Sequence, residues 1–92
     1  MKVTFNYMAQ LAAVTGRKSE TVTFESQYSL LKILHILSKN YDDKFRQLVF
    51  SEDMEIHPSL FVAIDGEQME RDENPYIEDG QTVLLMPPIA GG

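Results

Sequence analysis

Gly91 and Gly92 close the sequence, behind Met86-Pro87-Pro88-Ile89-Ala90. Residues of these types in this order offer one kind of chemistry: a C-terminal carboxylate presented on an arm that carries almost no side chain. Thr82 to Met86 reads as a strand and runs straight into Pro87, which has no N–H and cannot continue a ladder. Pro88 biases the residues after it toward the extended polyproline form, away from the body of the domain. At about 3.3–3.6 Å each, the residues from Pro87 to Gly92 could span roughly 20 Å. Two residues without side chains let a narrow channel in a partner close around bare backbone. The competing reading is a frayed end or an expression scar. Strand, stiffener and glycines agree with one another, which favours the arm.

The 92 residues make one small domain with a single core and no room for a deep substrate pocket as well. Hydrophobic residues at 43% and charged residues at 24% are ordinary for a globular chain. A net charge of −6 disfavours nucleic acid and anionic membrane, both of which attract positive charge, and suits a basic protein surface. With no cysteine there is no disulfide, no thiolate nucleophile and no Cys-based metal site. Any sulfur handled by this chain must sit on something other than a side-chain thiol. No charged leader with an apolar core opens the sequence, and no stretch approaches the ~20 apolar residues of a membrane span. A cytoplasmic protein is the expectation.

The rest of the chain must position the arm. Lys2 to Tyr7 alternates, with Val3, Phe5 and Tyr7 on one face, and reads as a half-buried strand. Met8 to Val14 is Ala-rich and predicts one or two helical turns closed by Thr15-Gly16. Glu20 to Phe24 alternates again. Ser29 is an N-cap for the main helix, Leu30 to Asn40, whose stripe is Leu30, Ile33, Leu34, Leu37 and Tyr41. Asp42-Asp43 caps a short helix through Phe45, Leu48 and Val49, and an acidic connector runs from Ser51 to Ser59. Leu60 to Ile64 is a continuous apolar run, as in a strand covered on both faces. Asp65-Gly66 predicts a two-residue hairpin turn into Glu67-Gln68-Met69. A polar loop from Arg71 to Pro75 comes next, and Asp79-Gly80 turns the chain into the final strand. One main helix on one face of a mixed sheet of four to five strands is an α+β, two-layer domain, and the order suits the ubiquitin-like β-grasp. The domain would occupy residues 1–86 and the extended tail residues 87–92.

At the tail the chain resembles the ubiquitin-like sulfur carriers of the MoaD/ThiS family, nearest the small subunit of molybdopterin synthase. Pro87-Pro88-Ile89-Ala90-Gly91-Gly92, entered from a strand after an Asp-Gly turn, carries the specific part of the likeness. Val3-Thr4-Phe5 through Ala9, Leu11 to Gly16, and Leu60 to Gly66 leading into Ile77-Glu78-Asp79-Gly80 are also similar, whereas the connector from about Tyr41 to Ser59 is longer and more acidic. The resemblance implies that Gly92 is the one residue entering the chemistry. Its carboxylate would be adenylated by an ATP-dependent, ubiquitin-activating-like partner and converted to a thiocarboxylate. Sulfur would then pass to a pyranopterin precursor inside a large subunit, in a heterotetramer. ATP would bind the activating partner; no cofactor and no metal is expected on this chain. The alternatives are a sulfur carrier for another acceptor (thiamin thiazole, cysteine or tRNA thiolation) or a ubiquitin-like protein modifier, with an inert interaction domain last.

A mobile tail needs a docking surface at its root. The candidates are whichever of Phe61, Met69, Leu84 and Met86 face away from the main helix, together with the tail residues Pro87, Pro88, Ile89, Ala90 and Gly91. His35 and His57 read as solvated surface residues. Glu52, Asp53, Glu55 and His57 match no strong metal-ligand spacing.

Overall fold

The computed structural model describes residues 1–70 and 72–88. Its elements run β1 (Lys2–Tyr7), α1 (Gln10–Thr15), β2 (Ser19–Thr23), α2 (Leu30–Ser38), α3 (Asp43–Val49), β3 (Phe61–Ile64), β4 (Glu67–Gln68) and β5 (Thr82–Met86). The five strands form one sheet in the order β2-β1-β5-β3-β4, in which β1 and β5 are parallel and every other pair is antiparallel. This is the mixed sheet and α+β architecture expected of a β-grasp domain.

Strand alternation decides which face is dry. Val3, Phe5 and Tyr7 of β1, Val62 of β3, and Val83 and Leu85 of β5 are buried against Leu30, Ile33, Leu34 and Leu37 of α2. Phe45 and Val49 of α3 close the same core. The far face keeps Phe61, Leu84 and Met86 half-exposed. The apolar run of β3 is therefore only partly covered on its second face, where Ala63 is buried and Phe61 half-exposed, because the helical elements all pack on the other side.

Helix α2 starts at Ser29, whose Oγ accepts from the Lys32 N–H at 3.3 Å. Its first two free N–H groups are taken by the 74–75 loop: Leu30 N–H donates to the Pro75 carbonyl at 2.8 Å and Leu31 N–H to Asn74 Oδ1 at 2.9 Å. The helix stops two residues short of Asn40, because Lys39, Asn40 and Tyr41 donate to the carbonyls three residues back and tighten the last turn. Helix α1 begins at Gln10 rather than Met8, because Ala9 at φ 51°, ψ −128° is not helical, and the Met8 N–H before it bonds the Leu85 carbonyl at 3.0 Å. The β3–β4 turn has Asp65 at φ 50° and Gly66 at φ 85°, the two positive values that a type I′ hairpin requires.

The acidic connector is folded. Phe50 bridges to Ile56, and His57 N–H donates to the Val49 carbonyl at 2.8 Å. His35, expected to be solvated, stacks on Phe50 with centroids 4.2 Å apart and donates from Nε2 to the Met54 carbonyl at 2.9 Å. His57 is half-buried, with Nδ1 accepting from the Ser59 N–H at 3.0 Å. Both histidines fix loop geometry, which the helix pattern alone could not show.

Glu20 ties three elements together at the sheet edge. It lies opposite Phe5, so its side chain shares the helix-side face, where Oε2 accepts from the Tyr7 hydroxyl at 2.5 Å and also from the Tyr41 hydroxyl. Tyr41 stacks on Phe45, with centroids 5.0 Å apart. Burial first, and then the Glu20 carboxylate, raise both phenols above their ordinary range. The folded state holds these protons where unfolded tyrosine, with a pKa of about 10, releases them. Their contribution is therefore complete below about pH 10 and is lost above it. Urea titrations across that range should show stability falling with pH, and the Tyr7→Phe/Tyr41→Phe double variant should lose most of that slope. An unchanged slope in the double variant would contradict the assignment.

Candidate functional site: the root of the C-terminal tail

The final strand lies in the middle of the sheet, and this fixes where the tail leaves. On one side Tyr7 pairs with Leu85 and Asn6 with Leu84; on the other, Phe61 pairs with Met86 and Ala63 with Leu84. Two further bonds bolt the entrance of β5 to the start of β1: Asp79 Oδ1 accepts from the Lys2 N–H at 2.7 Å, and Gly80 N–H donates to the Lys2 carbonyl at 2.8 Å. Beyond Met86 the sheet pairing ends. Pro87 is buried and Pro88 is exposed, so the chain turns outward within two residues of the last ladder pair. Ile89, Ala90, Gly91 and Gly92 lie outside the described residues.

Because β1 and β5 are parallel, the C-terminal end of β1 lies beside the tail root. Met8 is 41% exposed there, with its N–H on the Leu85 carbonyl. Ala9 follows at φ 51°, ψ −128°, a conformation that an L-residue adopts at a cost. Sequence reading missed this neighbour of the tail, since only the parallel pairing brings residues so distant in the chain together.

Phe61, Leu84 and Met86 are brought together on the face away from the helices. Phe61 lies opposite Met86 on the adjacent strand, and Leu84 is two residues before Met86. Met69 is not with them. Its N–H donates to the Val62 carbonyl at 2.8 Å, and its side chain packs against the core on the helix side. The turn geometry explains this: with Ile64 opposite Glu67 and Ala63 opposite Gln68, the next residue shares the face of Val62 rather than that of Phe61.

Among the described residues no three His, Asp or Glu side chains converge as a metal site would require. No helix there is long and apolar enough to cross a membrane. The geometry is that of a sheet whose central strand ends at Met86, beside a half-exposed apolar face.

The ThiS family model matches residues 5–92. The chain belongs to the ThiS family. It is thus a ubiquitin-like member of the sulfur carriers and modifiers. A small archaeal modifier protein 3 from Haloferax volcanii is 27% identical over 94 residues, covering 100% of both chains. The solution structure of the Haloferax volcanii HVO 2177 protein matches with a TM-score of 0.82 and 26% identity, over 100% of this chain and 87% of that one. A putative molybdopterin converting factor, subunit 1, from Pyrococcus furiosus shares the fold with a TM-score of 0.72 and 24% identity, over 97% and 99% of the two chains.

The alternation at the tail root is directly testable. Leu85→Ala removes a fully buried side chain and should cost about 2–5 kcal/mol, whereas Leu84→Ala on the far face should cost about 1 kcal/mol or less. Denaturant unfolding of the two variants checks the difference, and equal costs would mean that the far face is covered.

Proposed function

We propose that this chain is a sulfur carrier that reacts through the Gly92 carboxylate and serves as the small subunit of a molybdopterin synthase. The observation that supports the reading best is the run from central strand β5 through Pro87-Pro88 to Gly91-Gly92, within a family match that extends to residue 92. A free carboxylate is a poor electrophile. On an adenylating partner, its oxygen attacks the α-phosphorus of ATP and pyrophosphate leaves. A hydrosulfide-level nucleophile then attacks the Gly92 carbonyl, AMP leaves, and a thiocarboxylate remains. The sulfur passes to the precursor bound by the large subunit, and water restores the carboxylate. At Gly92 a Cβ would crowd the carbonyl under attack, and Gly91 keeps the backbone free to fit a narrow channel. ATP belongs to the activating partner, and the large subunit completes the enzyme.

The far face carries the docking role in this reading. Phe61, Leu84 and Met86 would cover the partner around the tail root and raise the local concentration of Gly92 at its site. A basic surface on the large subunit would complement the −6 charge of the carrier.

The full-length similarity to a small archaeal modifier protein favours a second reading, in which activated Gly92 is attacked by a lysine amine and forms an isopeptide bond. Both readings share the adenylation step. ATP–pyrophosphate exchange with the activating enzyme of the host tests it: the wild-type chain should support exchange, deletion of Gly92 should abolish it, and Gly92→Ala should reduce transfer severely. Full activity in the deletion variant would overturn the proposal. With the shared step established, isopeptide linkage of this chain's C-terminus to cellular lysines would favour the modifier, and sulfur incorporation into a pyranopterin precursor the synthase.

A further inference from the structure

A cavity of about 490 Å³ opens on the helix side of the β3–β4 edge, away from the far face described above. Its floor is apolar, made by Leu31 of α2, Ile56 of the connector, Leu60 and Met69. Its rim carries the carboxylates of Glu55, Glu70, Asp72 and Glu73, all exposed. The walls are built rather than draped. Glu73 Oε1 accepts from the Glu70 N–H at 2.8 Å, and Asn74 and Pro75 are bonded to the start of α2. On the other side, Leu60 N–H donates to the His57 carbonyl at 3.0 Å.

An apolar floor beneath an acidic rim fits one chemistry. A lysine or arginine lays its methylene stem on hydrocarbon and keeps its charge at the carboxylates. Even with Arg71 counted, the segment 70–73 holds three acids to one base. The volume takes a few side chains, not a folded domain. The chain's own tail is the wrong occupant, since the Gly92 carboxylate would meet like charge at the rim.

We propose that this cavity docks a cationic, otherwise apolar segment of a partner protein. Leu60 directly precedes Phe61, which pairs with Met86, so the cavity floor begins one residue from the register position of the tail root on the neighbouring strand. Adjacent strands lie about 4.8 Å apart. A protein that draws the tail out past Pro87 is therefore within reach of the cavity while it covers the far face. That last step rests on the carrier reading; binding at the cavity does not.

The test is methyl NMR of the full chain titrated with an acetylated, amidated peptide of alternating leucine and lysine. Shifts should centre on the methyls of Leu31, Ile56, Leu60 and Met69. Replacing the lysines by norleucine, or reversing charge in Glu55→Lys/Glu70→Lys, should weaken binding about tenfold, as two lost ion pairs and new repulsion require. Circular dichroism of the double variant controls for folding. No shift at these methyls, shifts centred on Leu84 and Met86 instead, or equal affinity for the charge-reversed variant would overturn the proposal. Activity at Gly92 is read separately by pyrophosphate exchange, so failure of either idea leaves the other standing.

Discussion

The parallel pairing of β1 with β5 is the constraint on which the rest of the molecule depends. It joins the two ends of the described chain, Thr4 to Thr82 and Tyr7 to Leu85, and no local turn can make such a contact. Everything between must fold into a crossover that returns the chain to the centre of the sheet. Helix α2 supplies that crossover, and its buried stripe covers both central strands. The bonds from Asp79 and Gly80 to Lys2 lock the register at one end, and the Met8 bond to Leu85 locks it at the other.

A carrier that works through its last residue gains from this arrangement. An end leaving an edge strand would fray with that strand, whereas β5 is paired on both sides up to Leu85 and with β3 at Met86. Pro87 and Pro88 then stop the ladder without a flexible hinge. On the proposed reading the domain serves as a handle for a reactive C-terminus. The sequence has no cysteine, so on the carrier reading the sulfur chemistry would involve the C-terminus and the partners rather than a side-chain thiol.

What the sequence showed was mostly local. The alternation of Lys2 to Tyr7, the Ser29 cap and the Asp65-Gly66 turn each carry their cause within a few residues, and the structure has them in those places. Met69 was legible in principle, because a two-residue turn fixes the register and so sets Met69 opposite Val62. The apolar run of β3 misled because composition does not say which face a helix will cover. His35 on Phe50, Met8 beside the tail root and the acidic-rimmed cavity all arise from tertiary contacts between distant segments. The ThiS-type ending was plain from the residues, while the acceptor it serves is chosen by surfaces that only a partner can read.

Intact-mass spectrometry of the protein after incubation with ATP, a sulfur donor and the activating enzyme of its host tests the central claim most directly. A gain matching one C-terminal oxygen replaced by sulfur, absent without ATP and absent when Gly92 is deleted, is the expected result. An unchanged mass, with the same enzyme competent on another carrier, would contradict it.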